Sequence, residues 1–128
     1  MRENKGYIAI ITSVILAALM LMIAVTLGFS AFSSRINNLD FYSKKISYFV
    51  SRSCVDKALL ELSKNINYGG NDNLAVDVYS CAIFPIEIDG ENKVIKSQAQ
   101  INGATTNLIM VVHGQTLSTI SLEEVGKF

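Results

Sequence analysis

From Tyr7 to Phe29 the chain runs for 23 residues without a charge, reading YIAIITSVILAALMLMIAVTLGF. At 1.5 Å per residue a helix of this length extends roughly 34 Å, enough to cross the hydrocarbon of a bilayer. The run holds no proline, and the hydroxyls of Thr12, Ser13 and Thr26 can return to backbone carbonyls one turn earlier. Residues 7–30 are therefore expected to form a transmembrane helix. Neither glycine nor proline occurs between Gly28 and Gly69, and Phe32, Ile36, Leu39, Tyr42, Ile46, Phe49 and Val50 recur at spacings of three and four. Cys54, Ala58, Leu59, Leu62 and Ile66 prolong that stripe, while Arg52, Asp56, Lys57, Glu61 and Lys64 occupy other faces. The helix is thus expected to leave the membrane as an amphipathic stem over 31–66, ending at Asn65, Asn67 and Gly69-Gly70. A single helix of that extent would be roughly 90 Å long.

Beyond Asn71-Asp72-Asn73 the period changes from helical to alternating. Val76, Val78, Tyr79, Cys81, Ile83 and Phe84 suggest a strand stopped or bulged at Pro85. Asp89-Gly90 and Asn102-Gly103 supply the positive φ angles of hairpin turns and frame a middle strand. In that strand Ile95, Ser97, Ala99 and Ile101 alternate with Lys96, Gln98 and Gln100, which gives one buried and one wet face. The next strand, 106–112, contains Leu-Ile-Met-Val-Val, apolar on both faces, as suits a central or helix-covered position. The fold class expected is α+β: a long N-terminal helix packed on a small antiparallel β-meander over 74–113. Residues 114–128 read equally as a fourth strand or a loose tail.

With 128 residues, 50% of them hydrophobic, and a mean hydropathy of +0.35, the chain is too apolar for disorder and too short for more than one small core. The formal net charge is zero, which removes the basic excess that a nucleic-acid-binding head needs. The charges are nevertheless arranged in blocks. Residues 35–64 carry six bases against three acids, and residues 65–128 carry three bases against seven acids. A basic stem with an acidic head suits subunits packed against neighbours of opposite field, and solvated faces give the same tally.

The flank Met-Arg-Glu-Asn-Lys-Gly places Arg2 and Lys5 before the apolar run and favours a cytoplasmic N-terminus, with residues 31–128 outside. Cys54 on the stem and Cys81 on the first strand then lie in an oxidising compartment, where a disulfide closing a loop of about 27 residues is the economical reading; two buried thiols are the alternative. Zinc ligation by Cys54, Cys81 and His113 lacks any CxxC or HxxxH spacing. His113, at the end of an apolar strand, suits a capping or partly exposed position. No GxSxG, HExxH, GxxxxGK[ST] or GxGxxG string is present, so the chain is read as non-catalytic, without metal or cofactor. Asp72, Asp89 and Glu91 fit solvated turns more simply than a calcium site, and Lys44-Lys45 fits a solvated helix face or a contact to anionic headgroups.

The order of short basic leader, Lys5-Gly6, uninterrupted apolar helix, helical stem and antiparallel sheet resembles the type IV pilin superfamily, including the pseudopilins of type II secretion. That resemblance implies a leader of residues 1–6, cut by a prepilin peptidase after Gly6, and methylation of Tyr7 as the new first residue. Major subunits of the family carry glutamate at the fifth residue after the cut, where this chain has Ile11. A glutamate in lipid needs a partner, which the family is thought to find in the N-terminal amine of the preceding subunit; Ile11 needs none and gives up that register contact. The departure implies a minor subunit, similar to the K-type minor pseudopilin or to short PilX-like minor pilins, with Cys54-Val55-Asp56-Lys57-Ala58-Leu59 in the stem and Tyr68-Gly69-Gly70-Asn71 at its end. The kinking proline common in the family's membrane helices is missing, and Gly28 alone could loosen that stretch.

The implied partners are other pilin or pseudopilin subunits, the prepilin peptidase and the membrane. Ile11, Ala17, Ala18, Ala24 and Gly28 are the implied helix-packing positions, since small residues let helices approach closely. Two other arrangements fit the residues. An uncleaved single-pass anchor could display a binding module at the cell surface. Alternatively, a secretory signal could be cut after Ser30, because Gly28 and Ser30 form a small-x-small site, although the apolar run exceeds the usual length of about 7–15 residues.

Overall fold

The computed structural model describes residues 4–128. They divide into two compact units, one ending at Leu39 and the other running from Asp40 to Phe128. A single helix, α1 (Asn4–Lys64), is followed by six strands: β1 (Asp72–Val76), β2 (Tyr79–Ile83), β3 (Glu87–Asp89), β4 (Asn92–Ile101), β5 (Ala104–His113) and β6 (Thr119–Val125). The chain is therefore α+β, with a long N-terminal helix and an antiparallel sheet.

In the first unit α1 is unbroken through Gly28, and its side chains are exposed from Gly6 to Leu39. The composition accounts for the continuity: Ala, Leu and Met are good helix formers, and the hydroxyls that compete with helical bonding are tied back. Thr12 Oγ1 donates to the Ile8 carbonyl at 2.9 Å, Ser13 Oγ to Ile10 at 2.8 Å and Thr26 Oγ1 to Met22 at 3.0 Å. This is the arrangement anticipated for a lipid-facing helix.

In the second unit the strand order is β1-β2-β4-β5-β6, and β3 pairs with β4 on the same side as β2. Strands β2 and β3 are thus two segments of one edge track interrupted at Pro85, whose missing N–H cannot serve the ladder. The hairpin turns fall where the sequence places them: Gly90, Asn102 and Gly103 all have positive φ. In β4, Ile95, Ser97, Ala99 and Ile101 are buried against the helix, and in β5 Thr106, Leu108, Met110 and Val112 join them. Ile109 and Val111 face the other way and are half-buried.

Four expectations are corrected. The single strand expected from Val76 to Phe84 is a hairpin, because Asp77 adopts φ 57° and turns the chain between Val76 and Tyr79; aspartate tolerates this left-handed conformation. The sheet exceeds 74–113 at both ends: β1 begins at Asp72, and residues 119–125 form β6 against β5. The helix ends at Lys64, short of Ile66. The face that α1 buries is the expected stripe only in part. Val50, Cys54, Ala58 and Leu62 of that stripe are buried and Ile46 and Leu59 pack against them, but Tyr42, Phe49 and Ile66 are exposed, and Ser43, Ser47, Ser51 and Val55 are buried in addition.

Candidate functional site

The buried face of α1 is serine-rich where it first meets the sheet, and these serines are paired. Ser51 Oγ lies 2.8 Å from Ser97 Oγ, and Ser97 Oγ donates to the Ser51 carbonyl at 2.9 Å. Ser47 Oγ donates to the Lys44 carbonyl at 2.8 Å and lies 2.6 Å from Thr106 Oγ1. The Lys44 ammonium donates to the Thr105 carbonyl at 2.5 Å, to Thr106 Oγ1 at 3.0 Å and to Glu124 of β6. Lys44 is partly solvated, as expected of this face, but it also ties helix, β5 and β6 together, while Lys45 stays exposed. Small hydroxyl side chains permit close approach of helix and sheet, and their mutual hydrogen bonds offset the desolvation that burying them costs.

Next along the same face, Cys54 and Cys81 form a disulfide with a Cα–Cα separation of 6.1 Å. Both residues are buried, among Val55, Ala58, Leu62, Ile83 and Ala99. The bridge fixes α1 to β2, as the cysteine arithmetic suggested. At the far end of the helix, Gly70 has φ +74°, and a Cβ there would sit 2.4 Å from the Phe84 carbonyl oxygen. Only glycine fits this crossing, which the Ile86 amide closes by donating to the Gly69 carbonyl at 2.9 Å. Tyr68 beside it is half-buried with a fully occluded hydroxyl oxygen that has no partner among the described residues. Burial raises the pKa of that hydroxyl, and the carboxylates of Asp72 and Glu61 add to the effect.

A cleft of about 470 Å³ opens at the β3–β4 and β5–β6 connections, lined by Ile88, Glu91, Lys93 and His113 among others. Its polar groups are already occupied in part. Lys93 donates to the Ile66 carbonyl, and His113 Nδ1 accepts from the backbone amides of Gln115 and Thr116, at 3.4 Å each. His113 thus caps its loop, the position the sequence suggested. Among the described residues no group of three or more His, Cys, Asp or Glu is placed to hold a metal ion.

The residues implied as assembly positions lie in the first unit. Gly6 and Tyr7 fall in the first turns of α1, with Tyr7 exposed; the side chain of Lys5, like residues 1–3, lies outside the described residues. With about 100° between successive helical residues, Ile11 and Ala18 share one face and Ala17, Ala24 and Gly28 an adjacent one. All five are exposed, and a Cβ on Gly28 would meet nothing within 4 Å. This helix is long and apolar enough to cross a membrane. The Lys44–Glu124 tie and the serine pairs were not anticipated. Their only trace in the sequence is the spacing Ser43-Ser47-Ser51, which puts three hydroxyls on one helical face. No protein-family model, curated protein or solved structure matches the chain.

Proposed function

We propose that the chain is a structural subunit, of minor pilin or pseudopilin type, whose N-terminal helix anchors it in the membrane and then packs among like helices of a filament. The observation that carries this reading is α1 itself. From Tyr7 to Phe29 it is uncharged and predominantly apolar on every face, its residues are exposed from Gly6 to Leu39, and the same element continues into a disulfide-closed α+β head. A helix that is apolar all round needs lipid or other helices as solvent. On this reading residues 1–6 are a leader removed after Gly6 by a prepilin peptidase, and the head lies outside the cytoplasm. Assembly moves the helix from lipid into a helical bundle, where Ala17, Ala18, Ala24 and Gly28 allow close approach.

The test is the intact mass and N-terminal sequence of the protein recovered from cells that carry its own processing machinery. A start at methylated Tyr7, with about two mass units lost to the Cys54–Cys81 bond, is the expected result. A start at Met1 would replace this reading with an anchored surface module, and a start at Ala31 with a secreted head.

A further inference from the structure

Two exposed patches of the second unit complement each other. The first is a groove of about 350 Å³ on the outer side of α1, lined by Phe41, Lys44, Lys45, Tyr48, Phe49 and Glu124. Its walls are aromatic: Phe41 is 71% and Phe49 58% exposed, and the Tyr48 and Phe49 rings meet edge to face at 6.0 Å. Lys44 and Glu124 neutralise each other. Lys45, one turn from both phenylalanines, forms no ion pair among the described residues, so the open charge of the groove is positive.

The second patch is the β3–β4 hairpin. Ile88 projects from it with 76% of its surface exposed, a large apolar side chain held out on a three-residue edge strand. Asp89 and Glu91 stand on either side of the Gly90 turn, and neither forms an ion pair among the described residues. Glu87, on the other side of Ile88, is held by Lys96 at 2.6 Å. The Lys93 ammonium, across from Ile88, is turned to the Ile66 carbonyl, so the hairpin is an apolar knob with two unpaired carboxylates at its turn and a net negative charge, opposite in sign to the aromatic groove.

These patches lie toward opposite ends of the unit. Lys93, paired with Ile88 in the hairpin, reaches the Ile66 carbonyl beyond the C-terminal end of α1, whereas Asn102, just past the other end of β4, reaches Ser43 beside the groove at 3.5 Å. The ten residues of β4 separate the two by roughly 30 Å. One chain cannot fill its own groove with its own hairpin.

We infer that the β3–β4 hairpin of one copy docks in the Phe41–Phe49 groove of a second copy, with Ile88 between the two phenylalanines and Asp89 and Glu91 facing Lys45. Charge complementarity and the paired apolar exposures select a second copy as the occupant. Between copies that share one orientation the contact joins different surfaces, so it is heterologous and repeats from copy to copy with a stagger of roughly 30 Å. The inference rests on the filament reading and names the surfaces that neighbouring heads would use. A single such contact is small, and it acts where subunits are already concentrated and staggered along a filament.

The test uses the full-length chain in cells that carry its own processing machinery, with a photoreactive benzoylphenylalanine in place of Phe49. Irradiation is expected to give an adduct on the Ile88-containing peptide of a second, differently tagged copy. Lys45→Glu should lower its yield about two- to fivefold, as for an exposed ion pair, and Asp89→Lys with Glu91→Lys in the partner copy should restore it. Adducts on lipid, on another polypeptide or elsewhere on this chain, or no adduct at all, would overturn the inference. A Tyr7 start without the adduct removes this contact alone, whereas an adduct on a chain that starts at Met1 removes the filament reading and keeps the contact.

Discussion

Removing the Cys54–Cys81 bridge should destabilise the head by about as much as a domain of this size can lose. The bridge closes 27 residues of chain, and the loop-closure entropy it withholds from the unfolded state is about 3.5 kcal/mol at 25 °C. The residues are 0% and 3% exposed, so Cys54→Ala with Cys81→Ala also deletes two fully packed sulfurs, roughly 1–2 kcal/mol more. Against a total of about 5–10 kcal/mol for a domain of this length, the variant should be close to unfolded at 37 °C. The assay is urea titration of the full-length protein in detergent micelles, following the circular dichroism of the sheet, with the two-alanine variant alongside the oxidised wild type. Burial adds a kinetic signature, since a reductant can reach the sulfurs only when helix and sheet separate. Reduction of the folded protein should therefore be slow, and should accelerate with urea in parallel with unfolding. A loss of stability under about 1 kcal/mol, or reduction at a rate independent of urea, would refute the reasoning.

Other expected outcomes follow from single contacts. Gly70→Ala forces a Cβ to within 2.4 Å of the Phe84 carbonyl at a positive φ and should cost about 1–3 kcal/mol, read as a lower Tm. The raised pKa of Tyr68 means that the folded state holds this proton more tightly than the unfolded state. The associated stability is complete below the unfolded tyrosine pKa and is lost as pH rises through the folded one, so Tyr68→Phe should flatten the alkaline limb of the pH–stability curve above about pH 10. The same substitution should leave neutral stability equal or improved, because the hydroxyl it removes is occluded and unpaired. Ser97→Ala should cost about 1–2 kcal/mol in urea titration, and Ser51→Ala added to it less than the sum of the two, because each hydroxyl is the other's partner. Ala18→Leu or Ala24→Leu should impair incorporation into filaments while membrane insertion is unchanged, measured by comparing sheared filament and membrane fractions; equal incorporation would defeat the proposed packing.

The parts of the fold legible in the sequence are those set by local chemistry. The uncharged run, the period change after Asn71, and the glycine turns at Gly90 and Gly103 each state their structure within a few residues. The β1–β2 turn was hidden because Asp77 carries no glycine beside it, although the adjacent apolar pair Val78-Tyr79 breaks strict alternation and marks the place. Strand β6 was hidden for a similar reason. Its pairing slips between Val111 and Val112, which leaves Ile120 as an extra, exposed residue, so that the alternation along 119–125 does not count evenly. The ties of Lys44 to the sheet are not legible because nothing local indicates that Glu124, eighty residues away, will stand opposite it.

The partly misplaced helical stripe has a deeper cause. Periodicity identifies the most apolar face of a helix, which is the buried face only when the helix has one neighbour and water elsewhere. In α1 of the second unit the aromatic positions Phe41, Tyr42 and Phe49 are exposed, and the sheet takes the face carrying Ser43, Ser47 and Ser51 together with Val50, Cys54, Val55 and Leu62. Two demands were superimposed on one helix. A disulfide with a Cα–Cα separation of 6.1 Å requires the helix to lie close to β2. That closeness requires small side chains on the facing surfaces, and these are supplied by the three serines and Ala58 on the helix and by Ser97 and Ala99 on β4. The bulky aromatic side chains Phe41, Tyr42 and Phe49 lie outside that seam and stay exposed, while Val50, Val55 and Leu62 fill the rest of it. An exposed aromatic face of this kind is costly to leave in water, and it is this face that the inferred docking of a second copy would cover.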